Sequence, residues 1–312
     1  MVDDPILIIG CQRSGTTLLT TILAQHPKLH THPKELQIID ILAIEFGNSL
    51  PNTQHAIELV CSQKLCPANV TPEKLRQAVG STKSCSLHHF IHAYLQTWRG
   101  NDDRRMVLKY PGFVFRLPLL DQLFPKATYV HMIRDPRANV SSQLARWPNS
   151  IIWEAANLWR DAVSKAHQWR QQHPNRTAEL HYEQLVEQPE TTLQTLCSQL
   201  NVPYSPKLLT FEMKTRRFTP GQSPEQARYS GLTSQRLHLW RERFSPVEIR
   251  LIEKVCAPLM TAYGYEPEQP PVEEAALRQA RRQQKMKFAV LQYGRSLKNH
   301  GRHLKRLWRQ RF

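Results

Sequence analysis

Four short apolar runs punctuate the chain: Ile6–Ile9, Met106–Leu108, Thr128–Ile133 and Ala178–His181. Each is too short for a helix and rich in β-favouring residues, so each predicts a buried strand. Between them the apolar positions recur at helical spacing. Leu18 to Gln25 predicts a helix after the first strand. Ile151 to His173 predicts one long helix, with Trp153, Leu158, Ala162 and Ala166 on its period. Thr71-Pro72-Glu73 marks a further helix start, and Ser245-Pro246-Val247-Glu248 is a capping box with Pro at the first helical position. Residues 47–105 carry many polar residues and no clear strand, and predict a helical insertion. Strands that alternate with helices predict an α/β fold, a parallel sheet flanked by helices.

Each predicted strand leads at once to a residue with chemistry to offer: Arg13, Lys109, Arg134 and Tyr182. Ligands of open α/β sheets bind outside the carboxyl ends of the strands. Four distant segments therefore converge on one edge. The first of them, Gly10-Cys11-Gln12-Arg13-Ser14-Gly15-Thr16-Thr17, joins a strand to a helix through a glycine-rich turn. Such a turn makes an anion cradle, because backbone N–H groups point inward and the helix dipole favours negative charge. The two glycines have P-loop spacing, but Thr16 stands where a nucleotide triphosphatase needs Lys. The cation is Arg13, inside the loop. That departure, and the lack of an evident second-strand Asp for Mg²⁺, weigh against a P-loop kinase or nucleotidase, the nearest rival enzyme.

The loop, in its Arg-Ser-Gly-Thr-Thr form, resembles the 5′-phosphosulfate loop of sulfotransferases that use 3′-phosphoadenosine 5′-phosphosulfate (PAPS). Arg134-Asp135-Pro136-Arg137-Ala138-Asn139-Val140-Ser141-Ser142 looks like the family's 3′-phosphate segment, with Arg134 at the strand end and Ser142 eight residues on. Leu180-His181-Tyr182-Glu183-Gln184-Leu185 is similar to the Tyr-Glu-x-Leu stretch of tyrosylprotein sulfotransferases and their bacterial relatives. The resemblance covers roughly residues 5–265 and implies a P-loop-like sulfotransferase that moves SO3 from PAPS to a hydroxyl and releases 3′-phosphoadenosine 5′-phosphate (PAP), without a metal.

Sulfuryl transfer needs an anion cradle, cations on the leaving oxygen and a base for the acceptor; it rests on positioning and charge stabilisation. The resemblance implies Arg13, Glu35 and Lys109 as catalytic residues. It implies Arg13, Ser14, Gly15, Thr16, Thr17, Arg134, Ser142, Tyr182 and Arg236 as the co-substrate site. Glu35 follows His26-Pro27 one residue later than the family spacing, with Lys34 at the ungapped position; His30 or His32 is the other candidate base. Tyr182 is either a stack near the nucleotide or a core residue, and Arg137 is expected to pair with Asp135. The later loop Tyr229 to Arg236 is expected to close the 3′-phosphate site.

Charge divides the chain. Residues 277–312 hold twelve Lys or Arg and no acid, out of a net +16, which leaves +4 for the rest. The expected organisation is a catalytic domain over 1–265, a stiff linker at 266–271 (Glu-Pro-Glu-Gln-Pro-Pro) and a basic helical extension over 272–312. In the extension Leu297, Leu304, Leu307, Trp308 and Phe312 recur at helical spacing. Its expected partner is a second subunit, an anionic membrane surface or an acidic acceptor, and no specific nucleic acid; an adaptor built around this tail is the non-enzymatic alternative. The six cysteines are scattered, and without a second close pair Cys61 and Cys66 read as reduced thiols rather than a zinc site. No run of 18 apolar residues occurs, and the first strand starts too early for a signal peptide. The expected location is cytoplasmic, with or without peripheral membrane association.

Overall fold

The computed structural model describes residues 4–62, 66–210, 212–214, 228–230 and 237–309; for 212–214, 228–230 and 294–309 it describes the backbone alone. In chain order the elements are β1 (Ile6–Ile9), α1 (Thr16–Leu23), β2 (Leu29–Thr31), α2 (Ile38–Phe46), β3 (Ser49–Leu50), α3 (Thr53–Cys61), α4 (Pro72–Val79), β4 (Cys85–Ser86), α5 (Leu87–Arg99), β5 (Arg105–Lys109), α6 (Leu117–Leu123), β6 (Thr128–Ile133), α7 (Pro136–Arg146) and α8 (Ile152–Gln172). There follow β7 (Thr177–His181), α9 (Tyr182–Glu187), α10 (Pro189–Gln199), β8 (Glu212–Lys214), β9 (Arg228–Ser230), α11 (Trp240–Arg243), α12 (Pro246–Cys256), α13 (Leu259–Ala262) and α14 (Glu274–Arg309).

The chain divides into two compact units, residues 1–134 with 162–234, and 135–161 with 235–312. The first is built on a five-stranded sheet in the order β2-β5-β1-β6-β7. Every neighbouring pair is parallel, so all carboxyl ends lie on one edge. Ile6 to Ile9 are wholly buried in the central strand, which explains why β1 is apolar without alternation. β2 lies at the sheet edge, where Leu29, His30 and Thr31 pair with Arg105, Met106 and Val107. Between β2 and β5 the chain forms α2 to α5, with two-residue strands β3 and β4 paired antiparallel.

In the second unit, the capping box predicted at Ser245 opens α12, with Ser245 N–H donating to Glu248 Oε2 at 2.9 Å. Glu253 of α12, 2 % exposed, accepts from the Glu268 and Gln269 N–H groups at 2.8 and 3.1 Å and so ties down the Pro-rich segment. Arg137 pairs with Asp135 at 2.7 Å, as expected, and also with Glu253 at 3.0 Å. The unit's core includes Trp159, Trp240, Ile252 and Met260. Leu277, near the start of α14, is buried too.

Candidate active site

The site begins where β1 ends. Gly10 has φ +146°, and a Cβ there would stand 2.4 Å from the Met132 carbonyl oxygen of β6. Only glycine lets the loop cross β6 this closely. Arg13 takes φ +68°, and Gly15, at φ +98°, forms the N-cap of α1. No side chain caps α1, and its first turn holds no acid. The helix end is thus left open to an anion. Ser14 and Thr16 are buried, whereas Arg13 and Thr17 are exposed.

Gly15 also receives an aromatic ring. A Cβ at this position would lie 2.5 Å from Tyr182 Cδ2 and 3.0 Å from Met132 Cε. Tyr182 therefore packs against the loop from the start of α9. The guanidinium of Arg134 lies over the same ring, 4.3 Å from its centroid, and Arg134 Nη1 donates to the Arg13 carbonyl at 3.2 Å. Three sheet ends, β1, β6 and β7, thus meet through Arg13, Gly15, Arg134 and Tyr182. Tyr182, 8 % exposed, is both a packed residue and the support of a cation.

The end of β5 brings in the rest. Lys109, the last residue of that strand, is 6 % exposed. Its Nζ donates to Glu35 Oε1 at 2.5 Å and to Thr17 Oγ1 at 3.0 Å. The backbone fixes this meeting, because Leu36 N–H donates to the Lys109 carbonyl at 3.0 Å and His32 N–H to the Val107 carbonyl at 2.9 Å. The segment after β2 is thereby laid along β5, with Glu35 beside Lys109. The cation partner of Glu35 is Lys109.

His30 and His32, the alternative bases, are engaged elsewhere. His32 is 3 % exposed, and burial lowers its pKa to about 4. The neutral ring is satisfied when Nδ1–H donates to the Lys34 carbonyl at 2.8 Å and Nε2 accepts from the Tyr94 hydroxyl at 3.3 Å. Its ring also lies 4.6 Å from that of Trp98. His32 is an anchor for the Lys34–Glu35 turn, a role nothing in the sequence signals. His30 faces the same Trp98 and pairs with Asp102 at 3.1 Å.

A second group, for which the sequence carries no signal, stands beside Glu35. The Tyr110 ring fits over Gly112, where a Cβ would be 2.3 Å from the ring. Burial first, then the Asp40 and Glu35 carboxylates, push the Tyr110 phenol above its ordinary pKa. Arg116 closes the group by donating to Asp40 Oδ1 at 3.0 Å. Ser142 lies half-buried on α7, in the second unit. Arg236 lies outside the described residues. Among the described residues no group of His, Cys, Asp and Glu is placed to hold a metal ion.

Comparison with known proteins agrees with this arrangement. The sulfotransferase family pattern matches residues 5–206. Protein-tyrosine sulfotransferase 1 of Danio rerio is 26% identical over 278 residues, covering 85% of this chain and 73% of the relative. A putative protein-tyrosine sulfotransferase of Caenorhabditis briggsae is 23% identical over 278 residues, covering 85% of this chain and 90% of the relative. The fold is shared with the sulfotransferase domain of the curacin biosynthetic pathway (TM-score 0.59, 20% identity, 85% of this chain and 98% of that one). It is also shared with the sulfotransferase domain of the Synechococcus PCC 7002 olefin synthase (TM-score 0.57, 24% identity, 85% and 96%). These relatives correct one expectation. Protein-tyrosine sulfotransferases act in the Golgi, so the cytoplasmic location, with or without membrane association, is withdrawn. No helix among the described residues is long and apolar enough to cross a membrane. The parallel sheet, the glycine loop at the end of β1 and the family match over residues 5–206 lead to one conclusion: the chain belongs to the sulfotransferase family and is a sulfotransferase enzyme.

Proposed function

We propose that this sulfotransferase uses PAPS as donor and a hydroxyl as acceptor, releasing PAP. One observation carries the reading: a single buried ammonium, Lys109, joins the candidate base Glu35 to Thr17 of the anion loop. Base, cation and cradle then stand within one donor's reach of each other, as in-line transfer needs.

In this proposal the open end of α1, Gly15 to Thr17 with Ser14 beside it, receives the 5′-phosphate. Glu35 takes the proton from the acceptor hydroxyl as its oxygen bonds to sulfur. The bond between sulfur and the bridging phosphate oxygen breaks, and Lys109 and Arg13 meet the charge left on that oxygen. Protein cations take the part that Mg²⁺ plays in kinases, so no metal is required. Arg134 and Ser142 grip the 3′-phosphate, Tyr182 supports Arg134, and Arg236 closes that end. A planar guanidinium suits a phosphate because it can donate two parallel hydrogen bonds. The similarity to protein-tyrosine sulfotransferases favours a peptide tyrosine as acceptor over a small metabolite or carbohydrate. The catalytic domain is assigned to residues 1–265, the linker to 266–271, and residues 272–312 form a basic helical appendage.

Calorimetric titration without metal tests the donor assignment. PAP is expected to bind in the micromolar range, about −8 kcal/mol, and ADP at least about tenfold more weakly. Equal affinity for PAP and ADP would remove the 3′-phosphate assignment. Tight binding that needs ATP and Mg²⁺ would return the kinase reading.

A further inference from the structure

The second unit contains a groove of about 410 Å³ among α8, α12 and α14. Its volume is in the range of small-ligand cavities. The floor is apolar: Leu251 and Leu277 are 2 % and 3 % exposed. One wall is the half-buried indole of Trp153. The backbone N–H of Trp153 donates to Gln284 Oε1 at 3.3 Å, which ties the start of α8 to α14.

The rim is cationic. Arg278 and Arg281 line it from α14, and Arg160 and Lys254 from α8 and α12. Arg281 and Lys285 both reach the Trp153 ring, 5.5 and 5.3 Å from its centroid. Only part of this charge is balanced. Arg160 pairs with its neighbour Asp161 at 2.8 Å and Lys254 with Glu274 at 3.8 Å. Among the described residues no carboxylate pairs with Arg278, Arg281 or Lys285. Gathering cations on one rim costs energy that a bound anion relieves.

The two features together select a ligand. A bare inorganic anion leaves the apolar floor wet, and a neutral hydrocarbon leaves the cations uncompensated. An anion with an apolar body satisfies both, because the indole and leucines take the body while the guanidiniums take the head. We propose that this groove binds a small amphiphilic monoanion, an alkyl or aryl group ending in a sulfate or carboxylate. This site is built from residues that the nucleotide reading does not use, so neither stands on the other.

The test titrates the full chain with decyl sulfate and with decanoate, both below their micelle concentrations, and with decanol as the neutral control. Both anions should bind, and decanol at least about tenfold more weakly. The ratio of the two anions tells a sulfate ester ligand from a carboxylate one. The Arg278→Glu/Arg281→Glu variant should weaken both anions by about tenfold or more, and Arg281→Lys, which keeps the charge but loses the planar fork, should weaken them less than the reversal does. Both positions are exposed, and a matched thermal melt shows that the variants are folded. The indole N–H resonance of Trp153, assigned through Trp153→Phe, should shift on titration. Arg13→Ala should leave the affinity unchanged. The proposal falls if decanol binds equally, if the charge reversals change nothing, or if Arg13→Ala abolishes binding, which would place the amphiphile in the anion loop.

Discussion

Replacing Gly15 with alanine probes the joint between loop, ring and cation. A Cβ on Gly15 would sit 2.5 Å from Tyr182 Cδ2. Ordinary carbon contacts are about 3.5 Å or more, so the ring must retreat by about 1 Å. It has little freedom to do so, since Tyr182 is 8 % exposed and carries the Arg134 guanidinium at 4.3 Å. Overpacking of this kind costs about 1–3 kcal/mol. The backbone adds its own cost, because φ +98° strains any L side chain by about 1–3 kcal/mol. The sum is about 2–6 kcal/mol, spent either as stability or as displacement of the loop. Gly15→Ala should therefore weaken PAP binding by at least about tenfold and lower the melting temperature. Tyr182→Ala in the same chain removes the ring clash but leaves the strain, so the double variant should recover up to about 1–3 kcal/mol over additivity. Calorimetry and thermal unfolding of the four proteins form the cycle. PAP binding within twofold of the parent and an unchanged melt for Gly15→Ala would refute the reasoning. Strict additivity would show that the ring contact carries nothing.

Other substitutions divide binding from chemistry. Arg134→Ala should cost roughly 2–4 kcal/mol of PAP affinity, read by calorimetry, because a phosphate contact and the bond to the Arg13 carbonyl both go. Arg13→Ala and Lys109→Ala should lower turnover far more than PAP affinity, since the charge they meet develops only in the transition state; near-normal turnover in either removes that role. His32 supplies a pH dependence: its pKa is about 4 when folded against 6.5 in an open chain. The unfolded chain binds the extra proton, so stability should fall as pH drops from about 6.5 to about 4, by at most about 3 kcal/mol. In urea titrations across that range the slope should flatten in His32→Gln.

What the sequence disclosed depended on how local each feature is. β1, β5, β6 and β7 are apolar because they are buried in the sheet, and their runs stand out. Leu29-His30-Thr31 has no such run, and it is a strand only because β5 lies beside it. That edge strand decides the position of Glu35, which the sequence offered only as a carboxylate one residue out of the family spacing. Its approach to Lys109 is fixed by backbone hydrogen bonds between segments more than seventy residues apart. His32 could not be told from a candidate base, because burial behind Tyr94 and Trp98 is set by α5, far along the chain. The sequence offered Tyr182 as a nucleotide stack or a core residue and gave no sign of the contacts its ring makes, with Gly15 on the loop and with the Arg134 guanidinium.

The central claim is that Glu35 accepts the proton while sulfur passes from PAPS to a hydroxyl. Glu35→Gln keeps the size of the side chain and a hydrogen-bond acceptor for Lys109, but removes the base. The decisive measurement is transfer of sulfur-35 from labelled PAPS to a panel of tyrosine peptides, phenols and sugars, with PAP affinity measured on the same proteins. The parent chain should label at least one acceptor class. Glu35→Gln should lose labelling by about 100-fold or more, the usual contribution of a positioned base, with PAP affinity within a few fold of the parent. Labelling by Glu35→Gln at the parent rate would contradict the account and move the base elsewhere.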